Sequence, residues 1–487
     1  MAVMRARYLT VVAAILVGGC GLVLGLEDRE LPPAPPAEGG GNPDDDGGGG
    51  TDAPPGDAPN DGDTPGDGGG VDACKCKIGC NAAGACLTDV TSIAVGANHN
   101  CIVRGNGRLY CMGHNDLSQL GVAGADRSAY VELTVARVTW SEVSAARDST
   151  CASTLAGDLY CWGSNAFSQL AQDSDGGAVI AAPTKVNLGT AKVKTFSVGS
   201  HHACAITDVA SGSNIRCWGF GGNGELGLGN ALGIPPEPVI TPSAVFGIRA
   251  KAVHANDTDT TTDGGRTCII TEAAVPMCFG WNAGSEISTT VPTPILQATT
   301  FEVVSGVEAM GSGATFACEL TGGVAKKVRC RSGLGTLTPS DCAPSADIFE
   351  VTMPAGVAPV SLAIASTHAC VIATTKNVYC FGENDLLQTS VLGSDKCGKN
   401  PISENARRPA VPVRALGPAS SILTAKTIGV GRGATIVFTM TDTLVGWGRT
   451  MFGELGPAPG ENLDAGDAGR TCETVTCATP RTIALPP

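Results

Sequence analysis

The chain has 487 residues and a formal net charge of −14, with 16% charged and 43% hydrophobic residues. A chain of this length exceeds one compact core, so several domains or a repeat architecture are expected. No apolar run after residue 26 is long enough to cross a membrane, which excludes a polytopic membrane protein. The acidic balance excludes a basic nucleic-acid-binding protein, and the 21 cysteines indicate an oxidising compartment unless they bind metal.

Residues 1–19 have the features of an export signal peptide. Arg5 and Arg7 precede an apolar run, and Gly18 and Gly19 stand directly before Cys20. A basic start, a short apolar segment and small residues before a cleavage site are typical of secretion.

The small residues followed by Cys20 resemble a bacterial lipobox. The resemblance implies cleavage, lipidation of Cys20 and a lipoprotein of the cell envelope, and Gly21 implies sorting to the outer membrane. Two alternatives stay open: an ordinary cysteine in a signal helix, or an uncleaved anchor of about 19 apolar residues.

Residues 20–73 are predicted to be the lipidated N-terminus and a disordered acidic linker. Within them, residues 27–73 carry ten Asp and three Glu against one Arg, a charge of −12. Such a segment buries little and repels itself, so it should be an extended spacer. The negative charge therefore belongs to the linker, and the remaining chain is close to neutral.

Residues 74–88 should form a small cysteine-rich knot. Four cysteines, Cys74, Cys76, Cys80 and Cys86, could form two disulfides or one zinc site. Their spacing lacks the paired Cys-x2-Cys elements of zinc ribbons, which favours disulfides of undetermined pairing.

From residue 89 to residue 487 the chain repeats. Six copies carry a cysteine pair: Cys101 and Cys111, Cys151 and Cys161, Cys204 and Cys217, Cys268 and Cys278, Cys318 and Cys330, and Cys370 and Cys380. A seventh copy has Ile436 and Gly446 at the cysteine positions. Second-cysteine positions span 335 residues in six steps, about 56 residues each, which accommodates four short strands per step.

Each copy contains a predicted β-hairpin. In the first copy the turn centres on Gly105–Gly107, so Cys101 should lie opposite Cys111 within disulfide reach. The seventh copy lacks both cysteines together, which supports this pairing in the other six.

The C-terminus repeats a strand-like segment. Pro480–Leu485 is similar to Pro183–Leu188, which precedes the third copy, and to a segment that begins at Pro412. No such segment precedes the first copy. We therefore expect the C-terminal strand to complete the first blade of a closed ring, which would remove exposed edges.

The repeated residues resemble those of the regulator of chromosome condensation (RCC1-type) repeat family. The pattern small-x-x-His-x-Cys, Leu-Tyr-Cys-Trp-Gly-x-Asn and Gln-Leu-Gly is clearest in residues 98–121 and 148–170. The fourth and fifth copies depart from it, with Arg331–Ser332 where an aromatic residue and glycine are expected. The resemblance implies an all-β fold, a seven-bladed β-propeller.

The sequence offers no catalytic constellation, metal centre or cofactor motif. His99, His202 and His368 share one repeat position, which indicates a structural role, and we expect a hydrogen bond to the backbone. His201 and His202 would point to opposite faces of a strand. A calcium site at Asp257, Asp259 and Asp263 is the weaker interpretation of loop 255–265, and a solvated turn is favoured.

Four cysteines of the repeat region stay unassigned. Cys342 and Cys397 could join neighbouring blades, and Cys472 and Cys477 could close a local loop. With Cys20 lipidated, the other twenty cysteines form an even set.

The sequence favours a binding or scaffold protein, anchored in the envelope, that recognises a protein or glycan through its loops. Nucleic acid is not an expected partner. The alternatives are an envelope enzyme with a site in the propeller channel, and a propeller that inhibits an enzyme.

Overall fold

A computed structural model describes the chain in these ranges: 90–172, 178–229, 239–245, 247–257, 264–282, 287–288, 295–300, 306–314, 316–332, 349–351, 353–382, 411–413, 421–449, 451–455 and 476–486. These residues form 28 β-strands and no helix. No helix in these ranges, therefore, could cross a membrane.

The strands group into seven antiparallel sheets, each a blade of four consecutive strands. Blade one contains β1 (Val90–Val95), β2 (His99–Arg104), β3 (Leu109–Gly113) and β4 (Arg127–Leu133). Blade two contains β5 (Trp140–Ala146), β6 (Ser149–Thr154), β7 (Leu159–Ser164) and β8 (Val179–Lys185). Blade three contains β9 (Val193–Val198), β10 (His202–Thr207), β11 (Ile215–Gly219) and β12 (Val239–Ala244).

The other four blades follow the same order. Blade four contains β13 (Ala250–Ala255), β14 (Arg266–Thr271), β15 (Pro276–Gly280) and β16 (Ile295–Thr300). Blade five contains β17 (Val307–Ser312), β18 (Phe316–Thr321), β19 (Val328–Ser332) and β20 (Phe349–Glu350). Blade six contains β21 (Pro359–Ile364), β22 (His368–Ala373), β23 (Val378–Gly382) and β24 (Val411–Pro412), and blade seven contains β25 (Ala425–Val430), β26 (Ala434–Thr439), β27 (Leu444–Arg449) and β28 (Thr476–Ile483).

The first strand of each blade is the innermost and contacts the first strands of its neighbours around the ring. The ring closes where β25 packs on β1: a Cβ atom on Gly429 would lie 2.6 Å from Ile93 Cγ2. The predicted all-β fold and seven-bladed β-propeller are therefore confirmed.

The second and third strands of each blade form the predicted hairpin. The six cysteine pairs stand directly opposite each other, and each pair is joined by a disulfide: Cys101–Cys111, Cys151–Cys161, Cys204–Cys217, Cys268–Cys278, Cys318–Cys330 and Cys370–Cys380. Their Cα atoms are 4.0–4.4 Å apart. In blade seven Ile436 pairs with Gly446 in the same register.

The glycine after the aromatic position is the last or the second-last residue of the third strand and has a positive φ. At Gly163 φ is 100°, a conformation that residues with a Cβ rarely adopt. A Cβ atom at this position would also lie 2.4 Å from the Asp148 carbonyl oxygen. Backbone crowding by the preceding turn therefore explains why six copies keep glycine here.

The expected role of the C-terminal strand is wrong in one respect. β28 pairs with β27 and is the outer strand of blade seven, while blade one has its own outer strand, β4. The segment that ends at Lys185 likewise belongs to the blade before it, because β8 pairs with β7. Each repeat thus begins with its innermost strand, and the sequence similarity had shifted the repeat boundary by one strand.

The chain after β28 nevertheless reaches blade one. The buried guanidinium of Arg104, in β2, donates a hydrogen bond to the carbonyl of Pro486. Leu485 packs against a core cluster shared by blades seven and one, which includes Ile102 and Phe438. The C-terminal residues therefore follow β28 onto the neighbouring blade.

The repeated histidine links adjacent blades. His99 Nε2 lies 2.7 Å from Thr150 Oγ1 of blade two, and Thr150 donates its proton to the Gln119 carbonyl at 2.8 Å. Because the hydroxyl proton is used, His99 must donate through Nε2. Trp162 Nε1 donates to the same Gln119 carbonyl at 3.0 Å.

The same contact recurs from His202 to Thr267 and from His368 to Thr435. The expected structural role thus holds. The partner common to the three histidines is a threonine hydroxyl of the next blade, and the expected bond to the backbone occurs at His202, with Arg266. Burial lowers the pKa of His99, His202 and His368 to about 3, so the rings stay neutral.

Several predictions lie outside the described residues: Cys20, the knot cysteines Cys74, Cys76, Cys80 and Cys86, the unassigned Cys342, Cys397 and Cys472, and the loop residues Asp259 and Asp263. Of Cys477 only the backbone, in β28, is described.

Candidate functional site

One end of the propeller collects two kinds of connection. The short turns between first and second strands and the long loops between third and fourth strands leave the same end of each antiparallel blade. We call this end the loop face. The opposite end carries the hairpin turns and the links between blades.

The turns form a ring around the axis of the loop face. Ala97 of blade one donates its N–H to the Arg147 carbonyl of blade two at 3.0 Å, and Ser200 of blade three donates to Asn256 of blade four at 3.3 Å. Asp257 ties three blades together: it accepts from the Ser200 hydroxyl at 2.5 Å and from the Arg147 N–H at 3.4 Å.

Charged and aromatic side chains meet at the seam between blades two and three. The Arg147 guanidinium lies 3.4 Å from His201 Nε2 and 3.5 Å from Asp148 Oδ2. Since a guanidinium can only donate, His201 accepts through Nε2 and is neutral. The Phe167 ring stands edge-on to His201 and to Phe220, with centroids 4.5 Å and 5.7 Å apart.

The electrostatics of this seam follow from burial. Burial, and to a lesser degree the neighbouring Arg147, lowers the pKa of His201 to about 4. Burial raises the pKa of Asp148, and Asp116 adds to the rise while Arg147 opposes it. The buried site therefore disfavours the charged forms of both His201 and Asp148. The Arg147 side chain, in contrast, is 39% exposed.

A second cluster lies at the seam between blades seven and one. The His114 ring stacks against Phe452 with centroids 4.1 Å apart, and its Nδ1 lies 3.2 Å from Asp116 Oδ1. Asp126 approaches the other ring nitrogen at 3.9 Å. Met451, beside Phe452, exposes 51% of its surface.

Four aromatic residues share the loop face. Phe167, Phe220, Trp281 and Phe452 are the described aromatic residues that lie outside strands, and all four are partly exposed. Each lies in a loop between a third and a fourth strand. The other aromatic residues in the described ranges belong to strands, and Trp162, Trp218 and Trp447 are fully buried.

The polar cluster at the axis does not have the geometry of a nucleophilic site. Ser200 donates directly to the Asp257 carboxylate, while His201 faces Arg147, so no histidine stands next to the hydroxyl. Ser200, His201 and Asp257 each expose 5% or less of their surface. Their contacts instead join blades, and in the described ranges no group of three His, Cys, Asp or Glu side chains could hold a metal ion.

Sequence reasoning did not single out Arg147, Phe167 or Phe220. They occupy positions that vary between copies, and a variable position in a repeat carries no periodic signal. The available signal was the residue type itself: Phe167 and Phe220 are aromatic residues in loops, in a chain with only 4% aromatic residues.

The similarity of this chain to known proteins lies in its repeats. Two segments, residues 90–119 and 156–206, match the family models of the regulator of chromosome condensation (RCC1) repeat. The chain is 27% identical over 173 residues to the ultraviolet-B receptor UVR8 of Arabidopsis thaliana, covering 35% of this chain and 38% of that protein. It is 28% identical over 150 residues to the X-linked retinitis pigmentosa GTPase regulator of Homo sapiens, covering 29% and 14%.

These matches span well under two thirds of either relative. Among solved structures, human WBSCR16 superposes with a TM-score of 0.54 at 14% identity, covering 70% of this chain and 84% of that chain, a likeness of fold alone. The repeat matches, together with the seven four-stranded blades, show that the chain carries RCC1-type repeats.

Proposed function

We propose that this propeller is a binding protein whose loop face takes a protein partner. The observation that carries the proposal is the grouping of Phe167, Phe220, Trp281 and Phe452, partly exposed, on that one face. Aromatic residues, methionine and arginine are enriched at the centres of protein interfaces, and Met451 and Arg147 accompany them here.

The fold supports binding over catalysis. The relatives carry names of different activities, a light receptor and a GTPase regulator, so what they share with this chain is a scaffold of repeats. The polar groups at the axis already bond to one another, which favours a rigid platform.

We further propose that the protein acts in the bacterial cell envelope, held by a lipid on Cys20 and displayed on the acidic linker. The basic start, the apolar run and the small residues before Cys20 support this proposal. A glycan ligand remains the alternative to a protein partner.

The loop-face proposal is tested by site-specific cross-linking in intact cells. A photoreactive residue at Phe167 or Phe220 should capture one partner of constant mass. The matched control is the same residue at Leu155, which is 72% exposed on the opposite end. Equal capture from both ends would refute the proposal.

The partner should then lose affinity when the aromatic anchor is removed. We expect Phe167→Ala to weaken binding of the captured partner by about 10-fold or more, as for an interface hot spot. Leu155→Ala should leave affinity unchanged. If the captured partner is an enzyme and the propeller abolishes its activity, the protein is an enzyme inhibitor, the alternative named above.

The anchor is tested separately. Cys20→Ser should release the protein from the membrane fraction and abolish incorporation of a fatty-acid analogue. Protease treatment of intact cells then separates surface display, which gives a fragment from the linker, from a periplasmic position, which gives full protection. An unchanged membrane fraction for Cys20→Ser would favour the uncleaved anchor.

A further inference from the structure

One buried position in the long loops of the loop face differs chemically between blades. It is Gln119 in blade one, Gln169 in blade two and Glu225 in blade three. Each side chain accepts the backbone N–H of the residue two positions earlier and so closes its loop. The difference lies in the second terminal atom, which is a donor in glutamine and an oxygen in glutamate.

In blades two and seven this second atom has a polar partner. Gln169 Nε2 lies 3.5 Å from the Ser149 hydroxyl. Glu454, the equivalent residue of blade seven, accepts the Met451 N–H through Oε1 at 3.1 Å, and Arg449 Nε lies 3.8 Å from the same oxygen. An amide donor or a nearby cation thus accompanies the buried group in both blades.

Glu225 has no such partner. Its Oε2 accepts the Asn223 N–H at 2.7 Å, whereas Oε1 is buried without a hydrogen bond to any described residue. Oε1 lies instead against the backbone of blade four, since a Cβ atom on Gly265 would be 2.6 Å from it. A carboxylate here would have no counter-charge, and burial accordingly outweighs the hydrogen bonds from Asn223 and raises the pKa of Glu225 to about 8.

The charged and titratable groups on the elements around Glu225 bond to other residues. His201 contacts the Arg147 guanidinium, and His202 contacts a threonine hydroxyl of blade four. Arg266 donates to a backbone carbonyl of blade five, and Asp257 accepts a serine hydroxyl of blade three. Two further acidic residues of the turn before Gly264 lie outside the described residues: Asp259 and Asp263.

The backbone that Glu225 contacts also holds an aromatic residue of the loop face. Trp281 donates its backbone N–H to the Gly265 carbonyl at 2.9 Å. Its indole covers the preceding glycine, because a Cβ atom on Gly264 would lie 1.8 Å from Trp281 Cγ. Two glycines therefore connect the buried carboxyl to a partly exposed ring of the loop face.

We propose that Glu225 is a proton-operated switch that sets the position of Trp281 on the loop face. With its proton, the carboxyl packs against Gly265 and the indole keeps its place. Without it, the carboxylate requires water, which the packed turn excludes, so Gly264 and Gly265 move away and displace Trp281. The effect on a partner rests on the proposed binding function, whereas the switch itself does not.

Tryptophan fluorescence of the full chain tests the switch without a partner. The chain has five tryptophans, of which Trp281 is partly exposed and the other four are buried. The signal of Trp281 is the difference between the parent protein and Trp281→Phe. Its quenching by acrylamide should rise by about 2-fold or more between pH 7 and pH 9, because local opening exposes the ring. The midpoint should lie near pH 8.

Two substitutions assign the titration to one carboxyl. Glu225→Gln, which copies the native Gln169, should keep quenching of Trp281 low at every pH. The matched control is Glu142→Gln, because burial also raises the pKa of Glu142 to about 8, but this residue lies in β5 and contacts Thr195. It should leave the rise in quenching unchanged. A Trp281 signal that does not change with pH in the parent, or that still titrates in Glu225→Gln, overturns the switch.

The partner captured at the loop face extends the test. Its affinity should fall about 10-fold from pH 7 to pH 9, since roughly one chain in ten keeps the proton one pH unit above the midpoint. Glu225→Gln should bind equally at both pH values. An affinity that ignores pH while Trp281 titrates overturns the link to binding, and a titrating Trp281 with no captured partner refutes only the loop-face proposal.

Discussion

At the scale of single residues, one buried position at the junctions between blades is glutamine in two blades and glutamate in a third. Gln119 and Gln169 each accept a backbone N–H from two residues earlier, at 2.9 Å and 2.8 Å. Blade three has Glu225 at this position, where it accepts the Asn223 N–H at 2.7 Å and is fully buried. Burial raises the pKa of Glu225 to about 8, so this carboxyl stays protonated at neutral pH.

We predict that the stability advantage of Glu225→Gln over the parent protein grows as pH rises from 5 to 8. The folded carboxyl keeps its proton up to a pKa of about 8, while the unfolded carboxyl loses it near its ordinary value of 4.5. Folding is therefore weakened as pH rises through this window, by up to about 1.4 kcal/mol per pH unit, and glutamine removes this dependence. Denaturant unfolding at several pH values measures it.

The reciprocal variant is the control. Gln169→Glu should introduce the same loss between pH 5 and pH 8 in blade two. A constant difference between Glu225→Gln and the parent at all pH values would show that burial does not hold the proton on Glu225.

At the scale of the element, the hairpin is the repeated unit. Opposed positions on β2-type and β3-type strands either carry a disulfide or, in blade seven, Ile436 and Gly446. Blade seven is also packed differently, because a Cβ atom on Gly446 would lie 2.7 Å from Leu455 Cδ2 and 2.9 Å from Ile483 Cδ1. Loss of the disulfide there is thus accompanied by repacking of its neighbours.

We predict that Cys151→Ala with Cys161→Ala lowers the free energy of unfolding by about 2–3 kcal/mol, the loop-closure value for a bridge of this span. Ile436→Cys with Gly446→Cys should form a bond but stabilise by less, since the new Cβ displaces Leu455 and Ile483. Thiol titration and chemical unfolding measure both. If the new disulfide in blade seven stabilises by as much as the native one in blade two, the neighbours of Gly446 are not packed as described.

Hairpins and their cysteine pairing could be predicted from the sequence because both partners lie within a short segment and repeat. The partners of His99 and Trp162 could not, because Thr150 and the Gln119 carbonyl meet them only when one blade packs on the next. The loop face was likewise hidden: Phe167 and Phe220 are 53 residues apart, and antiparallel folding brings them to one seam.

At the scale of the whole molecule, the ring must close between blades seven and one. This seam has its own contacts. Asn100 stands where blades two, four and seven have threonine, and it donates to the Glu454 carbonyl, while Arg104 donates to the Pro486 carbonyl. The residue that corresponds to Arg104 in blades two, three and four is threonine: Thr154, Thr207 and Thr271. Arg104 thus marks the closing seam.

We predict that Arg104→Thr lowers the free energy of unfolding by about 1–3 kcal/mol, because it removes the hydrogen bond from a buried guanidinium to the Pro486 carbonyl. Hydrogen exchange should increase in β1 and β25. The control is Arg108→Thr, since Arg108 is 55% exposed and its ion pair with Glu132 lies at the surface, a change expected within about 0.5 kcal/mol. Similar melting curves for the two variants would show that the tail does not hold the seam.

The sequence by itself determined the number of blades, the six disulfide pairs and the all-β class, because these depend on a local pattern repeated at a regular spacing. The tertiary structure alone decided which strand completes which blade, since Pro480–Leu485 is similar to segments that both follow one blade and precede the next. It also decided which residues share the loop face. Those properties depend on register and on packing between segments distant in the chain, and neither leaves a periodic trace in the sequence.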